Sequence, residues 1–185
     1  MRLFIAIELP EDTRCKLLAL KRDIPGVRWV SPEQLHLTLL FLGEVEDNKL
    51  EQLILAMSKI KVAPFTLNFS KTGCFPRSDA PKVLWVGLDQ LPALNALAAT
   101  VRAAVSSFSV PLEWSPFSPH ITLARVKQPG SFDISCFLNQ AIREKFAPIH
   151  VREFVLFSST LTQQGAIHRP IKVFPCQIQQ MKRSR

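Results

Sequence analysis

Two short phrases, His36-Leu37-Thr38-Leu39 and His120-Ile121-Thr122-Leu123, constrain this chain more than anything else in it. Each lies in an apolar stretch that reads as a β-strand. Successive side chains of a strand point to opposite faces, so His and Thr two residues apart share one face. Leu37 and Leu39, like Ile121 and Leu123, then point the other way, into a core. Each phrase offers one imidazole and one hydroxyl on a single surface, held from behind by aliphatic packing.

Cleaving a phosphodiester with water needs a base for the water proton and an acid for the departing oxygen. Histidine suits both roles near neutral pH. A threonine hydroxyl can donate to a non-bridging phosphate oxygen, where negative charge accumulates, without adding a charge of its own. Coincidence is a weak explanation, because any one histidine is followed by x-Thr about one time in twenty, and two of four by chance is on the order of a per cent. The competing structural reading is a pair of strand histidines satisfied by backbone groups. Neither phrase has metal-ligand spacing, and the carboxylates are not clustered, so no metal and no other cofactor is expected.

The rest of the chain reads as alternating strands and helices. A strand at about 2–7 leads through Pro10-Glu11-Asp12 into a helix to about Lys21, with Leu17, Leu18 and Leu20 on its apolar side. Val27–Val30 is a short strand, and 35–42 is a strand closed by Gly43. A second helix, capped by Asp47 or Asn48, carries Leu50, Leu53, Ile54 and Met57 to about Ile60. Strands follow at 65–69 and 83–88, with 73–79 between them as a loop. A helix over about 91–107 shows the stripe Leu94, Leu97, Val101 and Val105. A proline-rich lead-in at 111–119 precedes the strand 120–126. A helix over about 132–145 and an antiparallel pair at 151–158 and 167–174 close the chain. The order is roughly β-α-β-β-α-β followed by a similar set, with one His-x-Thr strand in each half.

At 185 residues, 47% apolar and 21% charged, the chain can bury a good core and is not a disordered one. The net charge of +8 favours anionic partners, although Lys182, Arg183 and Arg185 confine part of it to the C-terminus. Cys15, Cys74, Cys136 and Cys176 show no C-x-x-C spacing and fit a reducing compartment. The apolar start Met1–Ile7 is too short for a signal peptide, and no run approaches a membrane span. The expectation is a soluble, cytoplasmic protein, acting as a monomer.

The paired phrases, with Arg2–Ile7, Phe41-Leu42-Gly43-Glu44, Gly73-Cys74-Phe75-Pro76, Val83–Gly87 and Phe117–Arg125, resemble the 2H phosphoesterases, and within them the RNA 2′,3′-cyclic phosphodiesterases, also called 2′-5′ RNA ligases. The resemblance covers nearly the whole chain. It implies an α+β bilobal fold over residues 1–180, with two antiparallel sheets and flanking helices related by a pseudo-twofold around a central cleft. Residues 181–185 then form a basic tail. It further implies hydrolysis of a 2′,3′-cyclic phosphate on RNA ends or cyclic nucleotides, leaving a 2′-phosphate. His36 would be the proton donor and His120 the proton acceptor, roles that the pseudo-symmetry makes interchangeable. Thr38 and Thr122 would bind phosphate, Arg125 would bind phosphate or lie on a base face, and Phe41 would stack on a base. Leu40 stands where many relatives carry a basic or polar residue, and Ser118 where many carry arginine.

One conflict arises inside this reading. Phe41 and Arg125 each lie five residues after a motif histidine, so in a regular strand they face away from it. Either the strands end or bulge there, or these residues pack elsewhere. His150 and His168 lack partner patterns and read as structural. Arg77, Phe75, Trp85, Trp114 and Phe117 are possible cleft residues, with core packing or solvation as their plainer roles. Two other functions use the same features: 2′-5′ ligation at the same site, and a non-catalytic nucleotide- or RNA-binding module.

Overall fold

The computed structural model describes residues 1–76, 81–108, 116–127, 134–142, 145–163 and 165–177. The chain runs β1 (Arg2–Glu8), α1 (Glu11–Leu18), β2 (Val27–Trp29), β3 (His36–Glu44), α2 (Leu50–Ser58), β4 (Phe65–Leu67), β5 (Phe69–Phe75), β6 (Val83–Leu88), α3 (Pro92–Val105), β7 (His120–Val126), α4 (Ser135–Leu138), β8 (Ile149–Val151), β9 (Glu153–Thr162) and β10 (Gly165–Pro175). The fold is α+β with two antiparallel sheets, as expected.

The larger sheet has the order β10-β9-β1-β3-β7-β6-β5, with β2 added along β7, and the smaller pairs β4 with β8. The larger one divides naturally into two four-stranded halves. One is β10-β9-β1-β3; the other is β5-β6-β7 with β2. They meet at one register pair, Leu37 opposite Ile121. The two halves are therefore hydrogen-bonded edge to edge into one sheet. Antiparallel pairing carries a local twofold relation, so His36 and Thr38 on one strand flank the join as Thr122 and His120 do on the other.

Among the described residues, the four α-helices pack on one face of this sheet. Leu17 of α1, Leu53 and Met57 of α2, Leu94, Leu97 and Val101 of α3 and Phe137 of α4 share a single buried cluster with Ile5, Leu37, Leu84 and Ile121. The apolar stripes expected of α2 and α3 are the buried ones. Among the described residues, the other face carries the small cluster Phe4, Ala6, Val155 and Phe157, and no helix residue joins that cluster. Among the described residues, no helix is long and apolar enough to cross a membrane.

Several boundaries differ from the sequence expectation. The first helix stops at Leu18, because two short turns at Leu20 and Lys21 bend the chain towards Pro25-Gly26. Residues 73–75, expected in a loop, belong to β5, whose pairing with β6 runs to Phe75 opposite Val83. The stretch 65–69 is two strands, the second starting at Phe69 and joining the other sheet. The closing pair is longer than expected, at Glu153–Thr162 and Gly165–Pro175. The helix expected over 132–145 is α4 alone among the described residues. The proposed tail, Arg77 and Trp114 lie outside them.

Two glycines make room for a tryptophan. A Cβ on Gly73 would stand 2.2 Å from the Trp85 ring, and one on Gly87 3.0 Å from it. The indole thus lies flat over both backbones, nearly buried, in β6. Gly73→Ala overpacks this contact and is expected to destabilise the protein by about 1–3 kcal/mol. The measurement is urea unfolding followed by tryptophan emission; an unchanged midpoint would mean that the indole moves aside without loss.

Candidate active site

The four motif side chains come together because the two strands that carry them touch at their motifs. Leu37 and Ile121 are fully buried on the helix side, while His36, Thr38, His120 and Thr122 are half-buried on the helix-free face. The alternation inferred for both phrases holds through the threonine. It then breaks at the same place in each strand.

In β3, Ala6 pairs with Thr38 but Ile5 pairs with Leu40, so Leu39 is an extra residue opposite β1. In β7, Trp85 pairs with Thr122 but Leu84 pairs with Ala124, so Leu123 is extra opposite β6. These are β-bulges, and each puts two successive residues on the buried side. Leu39 and Leu40 are both buried, as are Leu123 and Ala124. Alternation resumes one residue out of phase, which returns Phe41 and Arg125 to the histidine face. The conflict raised by strand parity is resolved by bulging in both halves. Phe41 is 60% exposed, and its ring lies 5.9 Å from that of Phe4, which in turn lies 4.8 Å from His36.

Each histidine stands within an aromatic wall. His36 packs on Phe4 and meets His168 edge-on at 5.3 Å. His120 meets Phe75 edge-on at 5.0 Å and Trp85 at 6.2 Å. Phe75 and Trp85 are therefore at the site, whereas Phe117 packs against the main core. His150 lies on the small sheet, its Nδ1 3.0 Å from the Thr66 hydroxyl.

His168, whose local pattern reads as structural, adjoins His36. Its β10 position opposite Ser159 of β9 puts its ring 4.8 Å from Phe4. Its Nδ1 is buried without a hydrogen-bond partner. Only the register of the closing hairpin reveals this placement. A single-strand reading contains no trace of it.

The electrostatics follow from burial. Nδ1 of His120 donates to the Ser118 carbonyl at 2.7 Å, since a carbonyl can only accept, which leaves Nε2 of the neutral ring as an acceptor. Burial holds the pKa of His120 below the ordinary histidine value, with the Ser118 bond opposing. His36 is pushed down to about 4, first by burial, then by His168 and, more weakly, His120, with a Gln34 backbone bond opposing. Burial also lowers His168. Burial thus favours the uncharged form of both motif histidines near neutral pH, and a positive imidazole forms readily only beside an anion. Among the described residues, no three His, Cys, Asp or Glu side chains converge as a metal set.

The chain is similar to known phosphoesterases in sequence and in fold. The family description LigT-like phosphoesterase matches residues 7–85 and again 86–168, one match per motif. The chain is 33% identical over 177 residues to the RNA 2′,3′-cyclic phosphodiesterase of Archaeoglobus fulgidus, covering 94% of this chain and 99% of that one. It is 33% identical over 190 residues to the Thermotoga maritima protein of the same name, covering 97% and 96%. The apo crystal structure of E. coli LigT superposes with a TM-score of 0.79 at 31% identity, covering 95% and 96%. The same protein complexed with 3′-AMP gives 0.78, covering 95% and 97%.

The low pKa of His36 has a consequence for stability. The folded chain binds that proton only near pH 4, the unfolded chain near 6.5, so lowering the pH between those values favours unfolding. The melting temperature is expected to fall across that window, and His36→Gln to make the fall shallower. An equal slope in the variant would assign the linkage to other groups.

Proposed function

The chain belongs to the LigT-like phosphoesterase family, and from that membership we propose that it hydrolyses 2′,3′-cyclic phosphate at RNA ends to a 2′-phosphate, without a metal. The observation that carries this reading is the mirrored placement of two His-Thr pairs about one backbone contact, with an imidazole acceptor already set on one side.

The cyclic phosphate lies at the join, its two non-bridging oxygens accepting from the Thr38 and Thr122 hydroxyls. His120 takes a proton from water through Nε2, and the water oxygen forms the new bond to phosphorus. The bond from phosphorus to O3′ breaks, and His36 gives its proton to O3′. A 2′-phosphomonoester and a free 3′-hydroxyl result. His120 ends protonated and His36 neutral, and solvent exchange restores both. The anionic phosphate itself supplies the charge that lets His36 hold a proton in a site that otherwise keeps it neutral. Arg125 places a fixed positive charge at the edge of the site for a substrate phosphate, and the exposed Phe41 ring is suited to stack on a base.

Incubation with an oligonucleotide ending in a 2′,3′-cyclic phosphate, in EDTA, should yield the 2′-phosphate. His36→Ala and His120→Ala should each lower kcat by about 10²–10⁴-fold. Full activity in either variant, or a 3′-phosphate product, would sink the proposal. The kcat/KM profile should be bell-shaped with both limbs below about 6.5, because both histidines are depressed in the free protein. The kcat profile should lie at higher pH, since bound phosphate favours both imidazolium forms.

A further inference from the structure

Upstream of His36, β2 runs along the same edge of β7 that β3 touches, so the two behave as one interrupted strand with residues 30–35 looped out. Val27 pairs with Val126, Arg28 with Arg125 and Trp29 with Ala124, and the Val30 N–H donates to the Leu123 carbonyl. Directly paired residues of antiparallel strands project from the same face. Trp29 and Ala124 turn towards the core, where Trp29 meets Phe137. Arg28 and Arg125 consequently project together on the histidine face, and both are exposed.

Like charges directly opposed across strands are unfavourable unless something neutralises them. Among the described residues, neither guanidinium group makes an ion pair or a side-chain hydrogen bond. The only carboxylate in the intervening loop, Glu33, is bonded by Ser31 and feels Arg14. The tip of the β9–β10 hairpin bounds the pair on its other side: Gln34 Nε2 donates to the Ala166 carbonyl at 2.7 Å, and Arg28 Nη2 lies 3.5 Å from where a Cβ on Gly165 would stand. Lys82 and Lys127 extend the same strand ends, through the Val126 N–H to Lys82 carbonyl and Lys127 N–H to Gly26 carbonyl bonds.

Backbone spacing fits one nucleotide step. Opposite β7, Thr122 pairs with Trp85 and Arg125 with Val83, two residues along β6, or about 6.6 Å at the rise of a strand. That is on the order of one nucleotide step of an RNA backbone. An RNA ending in a cyclic phosphate has its next phosphate on the 5′ side of the terminal nucleoside.

We propose that Arg28 and Arg125 form a second phosphate subsite, which takes the 5′-phosphodiester of the terminal nucleotide and makes the protein prefer oligonucleotide ends over cyclic mononucleotides. The proposal rests on the phosphodiesterase reading for the position of the reacting phosphate. Two planar guanidinium forks facing one another suit a tetrahedral anion with two free oxygens better than point charges would.

The test compares a 2′,3′-cyclic mononucleotide with a dinucleotide ending in the same cyclic phosphate. Arg28→Ala should reduce the kcat/KM preference for the dinucleotide about tenfold, through KM, with Arg28→Lys intermediate. An unchanged preference, or an equal loss on both substrates, overturns the proposal. A parallel arm measures binding of a labelled single-stranded oligonucleotide with a 3′-phosphate against salt. There Arg28→Ala should lower the slope of log K against log salt by about 0.7 per lost phosphate contact. If the unaltered protein turns over neither substrate, the phosphodiesterase reading fails, and this arm alone decides the subsite: a lowered slope upholds it, an unchanged one overturns it.

Discussion

One backbone pairing, Leu37 with Ile121, carries the arrangement at the centre of this protein. Both residues are fully buried under the helices, so their side chains anchor the two half-sheets to one core. Their neighbours on either side must then emerge on the opposite face, at the join. Two imidazoles and two hydroxyls converge because strand geometry leaves them nowhere else to go. The twofold relation follows from the antiparallel pairing and needs no sequence identity between the halves.

The bulges at Leu39 and Leu123 set the site's composition beyond those four groups. Without them, Phe41 and Arg125 would point into the helical layer, where a guanidinium would be buried unpaired at high cost. With them, one residue is added opposite β1 or β6, an extra leucine enters the core, and the next residue returns to the surface. The same device in both halves keeps the site symmetric in outline while allowing different contents: an aromatic ring on one side, a cation on the other.

The walls of the site are aromatic on both sides and lower the charge-bearing capacity of the histidines they enclose. Phe4 and His168 about His36, and Phe75 and Trp85 about His120, exclude water without offering a counter-charge. Positive charge instead stands at the edge, at Arg125 and Arg28, where it attracts an anion without directly repelling the imidazoles. The site's own residues are thus neutral within and cationic at the rim. On the proposed reading, an entering phosphate would complete the electrostatics that the residues alone leave unbalanced.

Much of this was legible along the chain. Period-two alternation in two apolar stretches was enough to pair His36 with Thr38 and His120 with Thr122 on one face, and period-3.6 stripes marked the buried sides of α2 and α3, because these patterns are local. The resemblance added the fold and the phosphate chemistry. Tertiary structure alone decided the rest. A bulge is a mismatch between two strands, so no single strand records it, and the parity of Phe41 and Arg125 could only be read once β1 and β6 were aligned beside them. His168 reaches His36 from a hairpin more than a hundred residues away, and Arg28 reaches Arg125 through a register between β2 and β7. The sequence by itself determined which side chains share a strand face; only pairing between strands decided which faces meet, because register is a long-range agreement between segments that carry no mark of one another.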